Sequence, residues 1–528
     1  MSAGLAVTRL ALGQVRRGTT VVALLAGGLS AMVAVQYRQT FSGSMSSSTL
    51  EALAANPAIR TLFGTPVALD DAGGFTVWRT GTAVACLVGV WALLTATRVS
   101  RGEEESGRWG LLLAGQLRLR TVVGRHLAVL LGAQVLVGAA LAAGLTAAGT
   151  RLPGAVLHAV GIALVGAFFT TLGMVAAQLT GERRTASGAT AAALGLLLMI
   201  RMVADGVEAL HWLAWFTPFG LLARAEPYAA DRVLPLVVLA AATGALAVAS
   251  WVAAGRRDVG SGLLATHAPR RSGTGLLGSL PAIAAWRARP GTVAWGVGIG
   301  AYYLLIGLMA VSMTDFLSQN PRFAELAAKA GFAELGSVEG YTATLFALLA
   351  VPLGAYAAAR VAADAADEAA GRLTLVFAAP LSRVRWAAAQ TGATLLGCAL
   401  LTVTAAVATW IGTRAVGAPL GPGAALAGAL NLLPVAVLSL GAALLALGWA
   451  PRAVLALGAL PAAGGFLLTV LADSLGWPRW TAQISPYAHV AAVPSEPVDA
   501  AGAVGLLALA AVIGAVGIAG YARRDLRG

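Results

Sequence analysis

Glu104, Gly107 and Arg108, in the run GEEESGRWGLLLAGQLRLR, recur 264 positions later as Glu368, Gly371 and Arg372 in DEAAGRLTLVFAAPLSRVR. An acid, a glycine three places on and an adjacent arginine, repeated in both halves, suit a surface contact with a partner rather than a reaction. The same spacing offers nothing for bond-making chemistry. A phosphate-cradling loop needs a lysine behind its glycine-rich turn, and the single lysine, Lys329, stands in AELAAKAGF. His126, His158, His211, His267 and His489 show no HExxH or paired spacing, so no zinc site is read from them. Cys86 and Cys398 sit in apolar runs at non-equivalent positions, which supports neither a disulfide nor a thiolate metal site. No catalytic, cofactor-binding or metal-binding residue is therefore assigned, and the chain is not expected to be an enzyme by itself.

The elements that carry this motif are membrane spans. The chain is 58% hydrophobic and 11% charged, against roughly 25% charged in ordinary globular proteins. A span takes about 20 mostly apolar residues, and twelve intervals free of Asp, Glu, Lys and Arg are long enough. In the first half they lie between Arg17 and Arg38, Arg79 and Arg98, Arg125 and Arg151, Arg151 and Glu182, Arg184 and Arg201, and Arg232 and Arg256. The second half repeats them between Arg289 and Asp315, Glu339 and Arg360, Arg385 and Arg414, Arg414 and Arg452, Arg452 and Asp473, and Asp499 and Arg523. The fold class expected is an all-α polytopic membrane protein with twelve transmembrane helices in two tandem six-helix repeats. The halves cover 1–259 and 280–528, joined by a Gly/Ser/Arg-rich cytoplasmic linker over 260–279.

Other matches support a duplication. Asp205, Trp212 and Thr217-Pro218-Phe219 find Asp473, Trp480 and Ser485-Pro486-Tyr487, and Arg256-Arg257-Asp258 finds Arg523-Arg524-Asp525. A fixed-offset repeat of this kind reads as one unit duplicated and fused. The Pro218 and Pro486 stretches are too short to span and are expected as re-entrant or interfacial segments on the outer side, where irregular backbone finds partners. Most Lys and Arg fall in segments that are internal if both termini are cytoplasmic, which satisfies the positive-inside rule. The net charge of +13 has that origin, and nucleic acid is not an expected partner. Two stretches, Ala3 to Gly18 and Leu276 to Arg289, are expected to lie along the inner surface before the first span of each half.

The connection after the second span, Arg98 to Arg125 and Arg360 to Arg385, is the informative one. Acids and Gly-Arg precede apolar Leu111, Leu112, Leu113 and Leu117, or Leu375, Val376, Phe377 and Leu381. A short helix of this composition rests its apolar side against the bundle and offers its charges to a soluble partner. The order acid, x-x, Gly, apolar helix, Pro380-Leu381-Ser382 and basic Arg383 resembles the coupling-helix loop of ABC exporter permeases with the six-helix fold. The whole chain resembles the two-copy polyketide-antibiotic, tetronasin and multidrug exporter permeases of actinobacteria. In the first copy Gln116-Leu117-Arg118 replaces Pro-Leu-Ser.

That resemblance implies a multi-pass permease of the cell membrane, energised by a separate ATP-binding cassette subunit that supplies ATP and Mg and docks in two copies. It implies contact with that subunit through Glu104, Gly107, Arg108, Leu112, Glu368, Gly371, Arg372, Pro380, Ser382 and Arg383. Small hydrophobic or amphiphilic substrates would pass between the halves, with Trp91, Met199, Met202, Phe346 and Phe466 as candidate lining. The alternative is an ion-driven secondary transporter of the major facilitator kind, which also has twelve spans in two repeats and an acid-x-x-Gly-Arg element. The long connections and Pro-broken outer segments argue against it.

Overall fold

The computed structural model describes residues 3–40, 60–61, 64–264, 278–321, 336–475 and 478–524. Among these residues every regular element is helical, and twelve helices are long and apolar enough to cross a membrane. This is an all-α polytopic membrane protein. The chain divides into two compact units, Met1–Arg270 and Arg271–Gly528. Lys329 and His267 lie outside the described residues.

In the first unit α1 runs unbroken over Ala3–Thr40. At 1.5 Å per residue it is about 57 Å long, so the stretch expected on the surface before the span is instead its continuation. No proline or turn-forming cluster interrupts it, and Val7, Ala11 and Val15, one turn apart, are buried against Trp109, Val122 and Leu130. Next, α2 (Ala72–Thr97) starts at Asp71, whose carboxylate accepts from the N–H groups of Gly73 at 2.7 Å and Gly74 at 3.2 Å. It does not stop where the charges begin. A π-helical turn, Arg98–Gly102, carries it on through Glu103–Glu105. After a reversal at Gly107 come α3 (Arg108–Leu113), α4 (Leu119–Ala147), α5 (Leu152–Leu179) and α6 (Arg183–Gly206). A 3₁₀ stretch, Glu208–Phe216, and the short α7 (Pro218–Arg224) precede the last span, α8 (Leu234–Ala254).

The second unit follows the same plan with more breaks. Its first span is α9 (Leu280–Leu308), continuous with the stretch expected before it, and α10 (Ala310–Gln319) follows after a joint at Met309. Then α11 (Val338–Ala369), α12 (Leu373–Phe377) and α13 (Arg383–Ala415) repeat α2 to α4. The fourth span is split into α14 (Pro422–Leu430) and α15 (Leu433–Trp449). Pro434, at the start of α15, has no N–H to give to a preceding turn, and the Asn431 amide at the break donates to the Ala491 carbonyl at 2.7 Å. The fifth span is α16 (Val454–Ala459), a π turn over Leu460–Gly464 containing Pro461, and α17 (Gly465–Leu475). The segment ahead of the last span holds α18 (Arg479–Gln483) and a 3₁₀ turn, Pro486–His489; α19 (Ala500–Arg523) ends the unit.

First and third spans approach closely at a glycine in both units. A Cβ on Gly27 would lie 2.7 Å from the Ala140 carbonyl oxygen, and one on Gly412 would lie 2.5 Å from that of Leu304. Without a hydrophobic drive between helices in lipid, such backbone approach supplies dispersion contact that larger residues would forbid.

Candidate functional site: the charged elbows

The elbow of the first unit is built by the end of α2. Glu103, Glu104 and Glu105 each take a different partner. Glu103 pairs with Arg108 at 2.8 Å, the Arg108 side chain remaining 64% exposed. Glu105 accepts the N–H of Arg183 at 2.5 Å and so caps the first turn of α6. Glu104 points inward. Arg257, three residues past α8, donates to both its oxygens at 2.6 Å; the Gly260 N–H donates at 2.6 Å and Arg101 approaches at 3.2 Å. The side chains of Glu104, Arg101 and Arg257 are each about 1% exposed.

The clamp extends beyond Glu104. The Arg257 Nε donates to Gln178 Oε1 at 2.8 Å, and Arg101 donates to the carbonyls of Ala177 at 3.1 Å, Thr180 and Ser261 at 2.8 Å. The N–H groups of Leu263 and Leu264 reach the Gln178 and Leu179 carbonyls at 3.0 and 2.9 Å. The chain leaving α8 is thus stitched to the end of α5 and to the end of α2.

The second elbow repeats the plan. Asp367 stands for Glu103 and takes Arg372 at 3.0 Å, with Arg372 61% exposed; Arg287 is its second partner. Glu368 stands for Glu104 and takes Arg524, one residue past α19, at 2.5 Å. Gly107 and Gly371 both lie in the left-handed region, at φ +75° and +69°, and donate to the carbonyls of Glu104 at 3.0 Å and Glu368 at 2.9 Å. This is the glycine stop of a helix end, and it aims the following arginine outward. Behind the turn, Trp109 and its counterpart Leu373 are buried.

The expected contact residues therefore divide. Gly107, Arg108, Gly371, Arg372, Pro380 and Ser382 are exposed, and Leu112 is half-buried beneath the exposed Leu111. Ser382 caps α13 by accepting from the Arg385 N–H at 3.3 Å, and Arg383 donates to the Arg524 carbonyl. Glu104 and Glu368, expected to offer charge outward, are buried in the protein, because each has an arginine from the end of its own sixth span to neutralise it.

At the opposite ends of the bundles, Asp205 and Arg201 pair within α6 at 2.5 Å and are both about 4% exposed. Thr217 Oγ1 accepts from the Gly220 N–H at 2.9 Å and sets buried Pro218 at the start of α7. Ser485 repeats this ahead of buried Pro486, accepting from the Tyr487 N–H at 3.2 Å while donating to Gly465 at 2.9 Å. Trp212 and Trp480 are exposed, and Trp212 meets Phe216 edge-on at 5.8 Å. Asp473 falls in α17, and its side chain lies outside the described residues.

A family model described as multidrug efflux system permease Rv1217c, C-terminal domain, matches residues 17–254 and again 277–522. The chain belongs to this family. It is also 31% identical over 457 residues to the multidrug efflux system permease protein Rv1217c of Mycobacterium tuberculosis, covering 84% of this chain and 80% of that protein. Among the lining candidates of the permease, Phe346 stacks on Tyr303 at 5.9 Å inside its own unit's core, and Met202 is buried. Trp91, Met199 and Phe466 are half-buried; the Trp91 indole packs on Gly18, and Phe466 meets Tyr487 edge-on at 5.8 Å. Sequence reasoning missed Arg257, Arg524, Gln178 and Arg101. A signal for the first two was present: opposite charges, Glu104/Glu368 and Arg257/Arg524, recur together in both halves.

Proposed function

We propose that this permease is the membrane subunit of an ATP-driven exporter that moves amphiphilic or lipophilic small molecules out of the cell. In this reading two copies of a separate ATP-binding subunit, carrying ATP and Mg, dock beneath the two elbows from the cytoplasm, where both termini also lie. The observation that carries it is the duplicated elbow. Each unit presents an exposed arginine, Arg108 or Arg372, fixed by an acid one turn back and by a left-handed glycine between them. Fixed charge beside an apolar helix is suited to a partner whose side of the contact becomes desolvated, where losing one member costs about 2–5 kcal/mol. The relative's name, a multidrug efflux permease, supports export. Trp91, Met199 and Phe466, half-buried in their own units, are the candidates for lining the substrate path.

The test is co-expression with the ATP-binding subunit, followed by efflux from cells depleted of ATP and, separately, from cells treated with a proton uncoupler. One permease chain with two ATP-binding chains is expected, with efflux lost on ATP depletion. Efflux that collapses with the uncoupler while ATP stays high would establish the secondary-transporter reading instead.

A further inference from the structure

The partner-facing part of each elbow is small, but what it is attached to is not. Glu104 closes α2, and one turn later Arg108 is at the surface; the same carboxylate grips Arg257 through two hydrogen bonds of 2.6 Å. In sequence these residues are 153 positions apart. In the second unit Glu368 and Arg524 are 156 apart and joined at 2.5 Å, and Arg383, the first residue of α13, holds the Arg524 carbonyl as well. Each elbow is therefore tied at its root to the end of the sixth span, the helix farthest from it along the chain.

The geometry points to Arg257 and Arg524 as positioning residues that make the end of the sixth span move with the elbow. Displacement of Arg372 and α12 by a docked partner reaches Glu368, because only the Ala369–Gly371 turn separates them, and from Glu368 it reaches α19. Among the described residues α12 itself makes no polar tie to another span, although Asp367, which holds Arg372, also takes Arg287 of α9. Phe377 meets Trp386 of α13 edge-on at 6.4 Å, a contact that can slide, whereas a short, buried ion pair keeps its direction under displacement. In the first unit the tie goes further, since Gly260, Ser261, Leu263 and Leu264 are held in the same network. The start of the linker thus belongs to the first elbow.

This inference rests on the elbow being where the energising subunit acts, but its mechanical core can be read without that subunit. The full chain in lipid nanodiscs is compared by amide exchange as wild type, Arg524→Gln, Arg524→Lys and the exchanged pair Glu368→Arg with Arg524→Glu. Arg524→Gln should accelerate exchange together in residues 371–378 and 517–524, and the exchanged pair should return both to wild type. Acceleration confined to 517–524 overturns the proposal. With the ATP-binding subunit present, Arg524→Gln should assemble normally yet transport about five- to tenfold less per ATP hydrolysed, the effect of losing one coupling residue. The Lys variant and the exchanged pair should recover most of that ratio. A ratio unchanged in Arg524→Gln overturns the proposal too. Wild-type efflux indifferent to ATP sinks the ATP-driven reading alone, because the linked exchange of the two segments would still stand.

Discussion

The two elbows share a sequence plan and differ in how firmly they are closed. Glu104 meets two guanidinium groups and a backbone N–H with almost no exposure, while among the described residues Glu368 meets only Arg524, with the arginine side chain 18% exposed and the carboxylate 6%. The position of Arg101 is taken in the second unit by Ala365, which carries no charge to bring to the carboxylate. Among the described residues the duplicated motif is thus a clamp with three partners in the first unit and a latch with one in the second. The difference teaches that the motif residues set where the elbow turns, and their surroundings set how readily it opens.

The largest effect expected from this difference is on stability. Glu104→Gln removes the carboxylate that pairs with both Arg101 and Arg257 and leaves two buried cations facing each other, which should cost about 3–5 kcal/mol. Glu368→Gln leaves one arginine with access to water and should cost well under half as much. Thermal unfolding in detergent, followed by the fluorescence of a thiol probe reporting buried Cys398, checks the order of the two variants. Equal losses would show that the clamps are equivalent and would break the comparison.

Exchanging the charges sharpens it. Glu104→Arg with Arg257→Glu would set a new guanidinium against the Gly260 N–H and Arg101, both of which already donate toward that site. The pair should therefore stay about 2 kcal/mol or more below wild type, of the order of an unsatisfied buried charge contact, while the same exchange at Glu368 and Arg524 is tolerated. Recovery in the first unit, measured by the same unfolding experiment, would mean that Arg101 and the Gly260 N–H contribute little.

How much of this was legible in the sequence follows from range. The spans could be read from charge-free intervals because a hydrocarbon core excludes charge regardless of tertiary detail. Gly107 and Gly371 stood out as part of the repeated acid, Gly, Arg motif, but their left-handed helix stop is seen only in the structure. The direction in which Glu104 points could not be read, since it is decided by Arg257 on a different helix. Nor could the extension of α2 through Arg98–Gly102, where charged residues that read as a loop are kept helical by tertiary partners: Arg98 donates to the Gln14 carbonyl at 3.0 Å and Arg101 to the end of α5. Breaks in the second unit were half visible, as prolines at 434 and 461 whose effect depends on whether neighbouring groups rescue the backbone.

Where the two elbows are alike, substitutions should act alike. A Cβ at Gly107 or Gly371 would meet open space, so only the positive φ opposes it. Gly107→Ala and Gly371→Ala should each cost about 1–2 kcal/mol, the ordinary penalty for a left-handed non-glycine residue. Unequal costs beyond experimental error in the unfolding midpoints would indicate that one elbow rearranges instead of straining.

The smallest expected effect concerns the exit from each elbow. Ser382 caps α13, whereas Arg118, at the same place in the first unit, makes no side-chain bond to the start of α4. Both residues have extended backbone, at ψ 143° and 146°, so the first unit already has the shape that a capping serine uses. Arg118→Ser should therefore add up to about 1 kcal/mol and Ser382→Ala should remove about 1 kcal/mol, the usual worth of a helix cap. The gain in the first unit tests the comparison more sharply than the loss in the second, because Arg118 is exposed and its removal breaks no hydrogen bond seen in the elbow. If Arg118→Ser instead weakened the protein, the arginine would have a role at the membrane surface that outweighs the missing cap, and the divergence from Pro-Leu-Ser would be an adaptation of the first elbow, not a tolerated loss.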